Sequence, residues 1–170
     1  MEVTHPRSLV ERMIAAAKLE VALYEEVEAD ASATSQAAVV VVLAAIASGI
    51  GAAGGGAAGL FGGLIGALLG WLVWSGVTYL IGDKLLGGTA TWGELLRTIG
   101  FAQSAGVLYV LAVIPVLGGV IRLAVMVWVL VAGIIAIRQA LDFSTGKAIL
   151  TGVLGWIAMA LLALPLVHFT

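Results

Sequence analysis

Cysteine and asparagine are both absent from these 170 residues. Without thiols the chain has no disulfide, no thiolate nucleophile and no zinc–thiolate site. Without asparagine it has no glycosylation sequon. Charge is scarce as well: 11% of residues carry one, and a soluble domain carries about twice that fraction. The net charge of −2 and pI of about 5.6 leave no basic footprint for nucleic acid. His5 and His168 lie at opposite ends with no other ligand type at metal spacing, so no metal site is expected. No nucleophile, base and orienting group converge anywhere. The chain therefore reads as non-enzymatic, with no catalytic residues and no cofactor. A literal GxGxxG match at Gly54, Gly56 and Gly59 follows no predicted strand and lacks the acidic residue a dinucleotide site needs.

What is present is hydrocarbon. Hydrophobic residues make up 62% of the chain and mean hydropathy is +1.15. About 20 apolar residues at 1.5 Å each cross a hydrocarbon core of about 30 Å. The expected spans are Gln36–Ala53, Leu60–Ile81, Phe101–Leu117, Leu123–Leu141 and Ala148–Val167. The fold class is then all-α: a polytopic membrane protein with a five-transmembrane-helix bundle over residues 36–170. Residues 1–35 form a cytoplasmic amphipathic segment. A first apolar run that starts only after about 35 residues, behind an acidic stretch, is wrong for a cleavable signal peptide, so the first span is retained.

Within that segment residues 7–29 read as one amphipathic helix. Val10, Met13, Ile14, Ala17, Val21 and Tyr24 recur at spacings of three and four. It would lie in the headgroup region or against the bundle. Glu25, Glu26, Glu28 and Asp30 follow, as a solvated helix end or a docking site for a basic partner. Thr91 and Glu94 form a capping box that starts a helix near Trp92, running into the third span. Pro115, Gly118 and Gly119 make a tight hairpin after it.

The basic residues orient the chain. With a cytoplasmic N-terminus, Arg7, Arg12, Lys18, Lys84, Arg97, Arg138 and Lys147 all fall inside and only Arg122 outside. The localisation is a cell membrane, multi-pass, with the C-terminus outside.

Two constellations stand out. Gly51, Gly55, Gly59 and Gly63, with Gly62, Gly66 and Gly70, recur every four residues and allow close helix approach in lipid. They are expected to pack spans one and two, with an oligomer interface or a headgroup crevice as alternatives. The second is a cytoplasmic-face polar cluster of Glu94, Arg97, Arg138, Asp142 and Lys147. There Arg138 and Asp142, four residues apart, are expected to share a helix face, and Asp142 is expected to pair with Arg138, Arg97 or Lys147. Clamping of helix ends is the structural role; binding of lipid headgroups or a partner loop is the functional one. Gln103, Ser104 and Tyr109 are expected to make interhelical hydrogen bonds.

Gly93-Glu94-Leu95-Leu96-Arg97 through Gly100-Phe101-Ala102 resembles the Yip domain family of Ypt/Rab-interacting membrane proteins, especially its prokaryotic branch. So do Ile114-Pro115-Val116-Leu117-Gly118-Gly119 and the run from Arg138 to Leu150. Tyr24-Glu25-Glu26-Val27 and Gln36-Ala37 also fit. The resemblance implies five spans and a cytoplasmic N-terminus. For eukaryotic relatives it implies vesicle traffic, membrane shaping and binding of prenylated small GTPases. The long N-terminal region and a Tyr-Gly-Pro motif are missing, which makes small GTPase binding doubtful. The function so implied is membrane organisation or shaping through membrane lipids and protein contacts, with a homo-oligomer or other membrane proteins as partners. The alternative is a small transporter, channel or lipid-moving protein.

Overall fold

The computed structural model describes residues 7–52 and 56–167. The chain is an all-α membrane helix bundle. Two short helices, α1 (Leu9–Ala17) and α2 (Val21–Ala29), precede α3 (Ala33–Gly51) and α4 (Gly56–Tyr79). A π-helical turn, Leu80–Leu85, prolongs α4. The third span is composite: α5 (Trp92–Ala102) continues as a 3₁₀-helix over Gln103–Val113. The hairpin at Pro115 leads into α6 (Gly118–Ala140), and α7 (Thr145–Val167) completes the order. Among the described residues four helical stretches are long and apolar enough to cross a membrane, and Thr145–Leu161 of α7 is a further apolar stretch.

The third span is the centre. Its apolar window is 61% buried, against 33% for α3, 22% for α6 and 11% for α4. Small residues explain how α3 approaches it so closely. A 3₁₀-helix eclipses side chains three residues apart, so Gln103, Gly106, Tyr109 and Ala112 form one edge. A Cβ on Gly106 would lie 2.9 Å from Ala44, and one on Gly100 would lie 2.7 Å from Ala37. At the far end Gly51 meets the Tyr109 carbonyl so closely that any side chain is excluded. The two elements run parallel, Ala37 beside Gly100 and Gly51 beside Tyr109.

The amphipathic helix expected over residues 7–29 is two helices. The break has a physical cause. Leu19 adopts φ 62, Leu19 N–H donates to Ala16 O at 2.9 Å and Glu20 N–H to Ala15 O at 3.1 Å. This is the left-handed reversal that ends helices, here with leucine where glycine is usual. The Ser8–Glu11 capping box fixes the start of α1.

The glycine seam also differs from expectation. A Cβ on Gly59, Gly62, Gly63, Gly66 or Gly70 would meet nothing within 4 Å. Gly59, Gly63 and Gly70 instead border a cavity between α4, α3 and the third span. Gly51 is tightly packed, but against the third span and not the second. Gly55 lies outside the described residues, as do His5 and His168.

Candidate functional site

At the face where α3 and α5 begin and α6 ends, α1 and α2 are fastened to the bundle by four side chains. Arg12, 4% exposed, is the first. Its Nε donates to Glu26 at 2.9 Å, its Nη2 to Asp30 at 2.8 Å and its Nη1 to Gln36 at 3.0 Å, joining α1, α2 and α3. Hydrogen bonds from Ser32 and Arg12 hold the Asp30 carboxyl below its ordinary range. Arg97 is the second. It sits on α5, 8% exposed, and donates from Nε to Val27 O at 2.8 Å and from Nη2 to Glu28 O. Those are the last carbonyls of α2, where a helix lacks internal partners and favours a cation. Trp128 on α6 donates its indole N–H to Ala17 O at 2.7 Å. Gln139, near the end of α6, donates to the Glu25 carboxylate at 3.0 Å. Leu23, Tyr24 and Val27 fill the space beneath, all fully buried.

The five residues of the expected polar cluster are only partly brought together. Glu94 does what the spacing predicts: it closes a capping box with Thr91, accepting from Thr91 N–H at 2.7 Å. Arg97 caps α2. Asp142 does not pair with Arg138 among the described ion pairs. The reason is that α6 ends at Ala140, so residues 138 and 142 no longer share a helix face. Asp142 takes φ 52 and forms the left-handed C-terminal cap, with Phe143 N–H donating to Arg138 O at 2.9 Å. Its carboxylate accepts from the Thr89 hydroxyl at 2.8 Å. Arg138 contributes its backbone, and its side chain is exposed. Lys147 donates to Leu86 O at 3.4 Å and lies over the Phe143 ring. Leu141, beside it, fills a notch between Gly82 and Gly88, where a Cβ on either would collide with it.

Glu28, Glu94 and Asp142 face one another at this end. Burial, with the charges of Glu94 and Asp142, raises the Glu28 carboxyl to about 7, against the opposing pull of Arg97. Among the described residues no group of three histidines, cysteines or carboxylates is placed to hold a metal ion.

At the opposite end Arg122 donates to Gly51 O and caps α3. Two cavities lie between these ends. One of about 450 Å³ is walled by α3, the glycine face of α4 and the third span. The other, about 520 Å³, lies among α4, α5, α6 and α7, with Gly133, Gly152 and Trp156 on its wall. Gln103 and Trp74 border both, and neither cavity is lined by a charged side chain. Ser104 donates to Phe101 O at 2.6 Å within its own helix, so the interhelical bond expected of it is replaced by a local one.

Arg12 and Trp128 are the functional positions that sequence patterning does not reveal. Arg12 falls on the polar side of the α1 wheel and reads as solvated. Its only signal is the pair Glu26 and Asp30, one helical turn apart and without a local cation.

No curated protein and no solved structure matches this chain. The family model of the Yip1 domain matches residues 3–166, nearly its whole length, including both the α1–α2 segment and the bundle. The chain belongs to the Yip1 domain family.

Proposed function

We propose that this chain is a non-enzymatic protein that organises or shapes the bilayer through lipid and protein contacts. The single observation behind this reading is the fastening of α1 and α2 chiefly at one end of the bundle, by Gln36, Arg97 and Gln139, with Trp128 of mid-α6 as the deepest anchor. Most of the basic residues lie toward that end, which supports reading it as the cytoplasmic side. The described part of the N-terminal segment, residues 7–35, then adds its bulk to the cytoplasmic leaflet. The outer half carries no such addition among the described residues. An object wider in one leaflet than in the other favours curved bilayer over flat. Val10, Ile14 and Val21 are exposed on α1 and α2, and give that added bulk an apolar contact with acyl chains.

The test is reconstitution into vesicles at rising protein-to-lipid ratio, with diameters measured by electron cryomicroscopy. A shift toward smaller or tubular vesicles is expected, and weaker with Arg97→Ala, which releases α2. Diameters identical to protein-free vesicles at every ratio would sink the reading. A transporter or channel would need a polar path. Cavities lined without charged side chains support the contact-based function instead.

A further inference from the structure

Along α3, polar anchors sit closer together than a bilayer is thick. Arg12 binds the Gln36 side chain at one end and Arg122 binds Gly51 O at the other. The fifteen residues between them span about 22 Å on an α-helix, against about 30 Å of hydrocarbon. On α6 the charged ends Arg122 and Arg138 are sixteen residues, about 24 Å, apart. Trp128, which holds Ala17, lies ten residues from Arg138 and six from Arg122, so about 15 Å from one charged end and about 9 Å from the other. Lys18 and Glu20 follow Ala17 directly and are exposed. Charges therefore stand on the flank of the bundle level with the middle of α6. An unsolvated charge there costs about 3 kcal/mol on insertion scales, and bilayers respond to such a flank by thinning.

What those charges form is a crevice. Arg7, Glu11, Lys18 and Glu20 line an open hollow of about 260 Å³ with Ile14 and Ala15 at its floor. Arg7 lies 3.6 Å from Glu20 and 3.5 Å from Glu26, and among the described ion pairs Lys18 has no partner. Two cations and two carboxylates around one hollow complement a group bearing both signs. Exposed Val10 and Ile14 beside it would contact the attached chains.

We propose that this crevice holds the headgroup of a zwitterionic phospholipid, with its phosphate at Lys18 and Arg7 and its ammonium at Glu11 and Glu20. The headgroup sits below the level of its own leaflet, so the bilayer is locally thin along α1 and α6. The proposal rests on the docked position of α1 and α2 described above, but not on vesicle curvature.

The experiment uses the full chain reconstituted in vesicles of phosphatidylethanolamine and phosphatidylglycerol. Its first arm places a nitroxide at Ile14→Cys, with Val127→Cys on α6 as the lipid-facing comparison. A water-soluble nickel relaxant is expected to reach the first at least about tenfold better than the second, the scale of a water-to-hydrocarbon partition difference of about 1.4 kcal/mol. Equal, low accessibility at both sites would overturn the proposal. The second arm identifies by mass spectrometry the lipids retained after detergent exchange. Phosphatidylethanolamine is expected to be enriched over the bulk, Lys18→Gln to lose that enrichment, and Glu11→Gln with Glu20→Gln to shift it toward phosphatidylglycerol. Retained lipids that mirror the bulk in all three proteins would overturn it. Circular dichroism on each variant confirms that it is folded. A chain that bends no vesicle yet retains the lipid would contradict the proposed function and leave this site standing.

Discussion

Arg97 on α5 and Val27 on α2 are seventy residues apart in sequence, and the guanidinium Nε of one donates to the carbonyl of the other at 2.8 Å. The cation is 8% exposed and ends a helix it does not belong to. Hydrogen bonds of this charged kind are worth about 1.5–3 kcal/mol each, and the orphaned carbonyls would add a further penalty. Arg97→Gln is therefore expected to lower stability by about 2–3 kcal/mol, read as a fall in melting temperature in detergent. Arg138→Gln, at an exposed side chain with no described partner, is expected to leave the melting temperature within error. Equal effects of the two substitutions would contradict the assignment of roles.

Arg12 offers a second test. Removing it leaves Asp30 without its cation and Gln36 unpaired, while Glu26 keeps Arg7 at 3.5 Å, and breaking a buried ion pair from one side costs about 3–5 kcal/mol. Both carboxylates keep partial solvent contact, so Arg12→Ala is expected at or below the lower end of that range. Proteolysis should then cut between α1 and α3 faster than in the unaltered chain. Unchanged cleavage would show that α1 is held by something else.

How far this arrangement was legible in the sequence depends on whether the signal is local. The Thr91–Glu94 capping box and the Pro115–Gly118 turn are marked by residues within a few positions, and both form as expected. The spans follow from composition, which needs no partner to be read. The break at Leu19 carries neither glycine nor proline, so nothing nearby announces a left-handed residue. Arg138 and Asp142 look like a helical pair only if the helix continues, and it ends between them. The contacts of Arg12, Arg97 and Trp128 join elements 14 to 111 residues apart. Charge spacing along one helix cannot encode such partners.

Acidity should act through Glu28. Its carboxyl is raised from 4.5 to about 7, so between those values the folded chain binds more protons than the unfolded one. Stability then falls as pH rises through this window and is lowest above about 7. Asp30, held low by Ser32 and Arg12, acts only below its ordinary range and does not contribute here. Melting temperatures between pH 5 and pH 8 should decline for the unaltered chain and flatten for Glu28→Gln. A decline that persists in the variant would assign the effect to another group.

Glycines divide into two classes with opposite expectations. Gly100→Ala and Gly106→Ala force methyl groups against Ala37 and Ala44 at 2.7 and 2.9 Å, and overpacking of this kind costs about 1–3 kcal/mol. Gly62→Ala and Gly66→Ala meet open space and gain helix propensity. Melting temperature should fall for the first pair and hold or rise for the second. A fall for the second pair accompanied by a change in oligomeric mass would place a second copy on α4.

The docked position of α1 and α2 carries the whole account, and a chain without cysteine makes it directly measurable. Spin labels at Val21→Cys and Leu130→Cys, in bilayers, report the distance between α2 and α6 by pulsed dipolar spectroscopy. The expected result is a single short, narrow distribution that broadens and lengthens when Arg97→Ala is added. A broad, long distribution in the otherwise unaltered chain would mean that the N-terminal helices are not seated against the bundle, and would contradict the account.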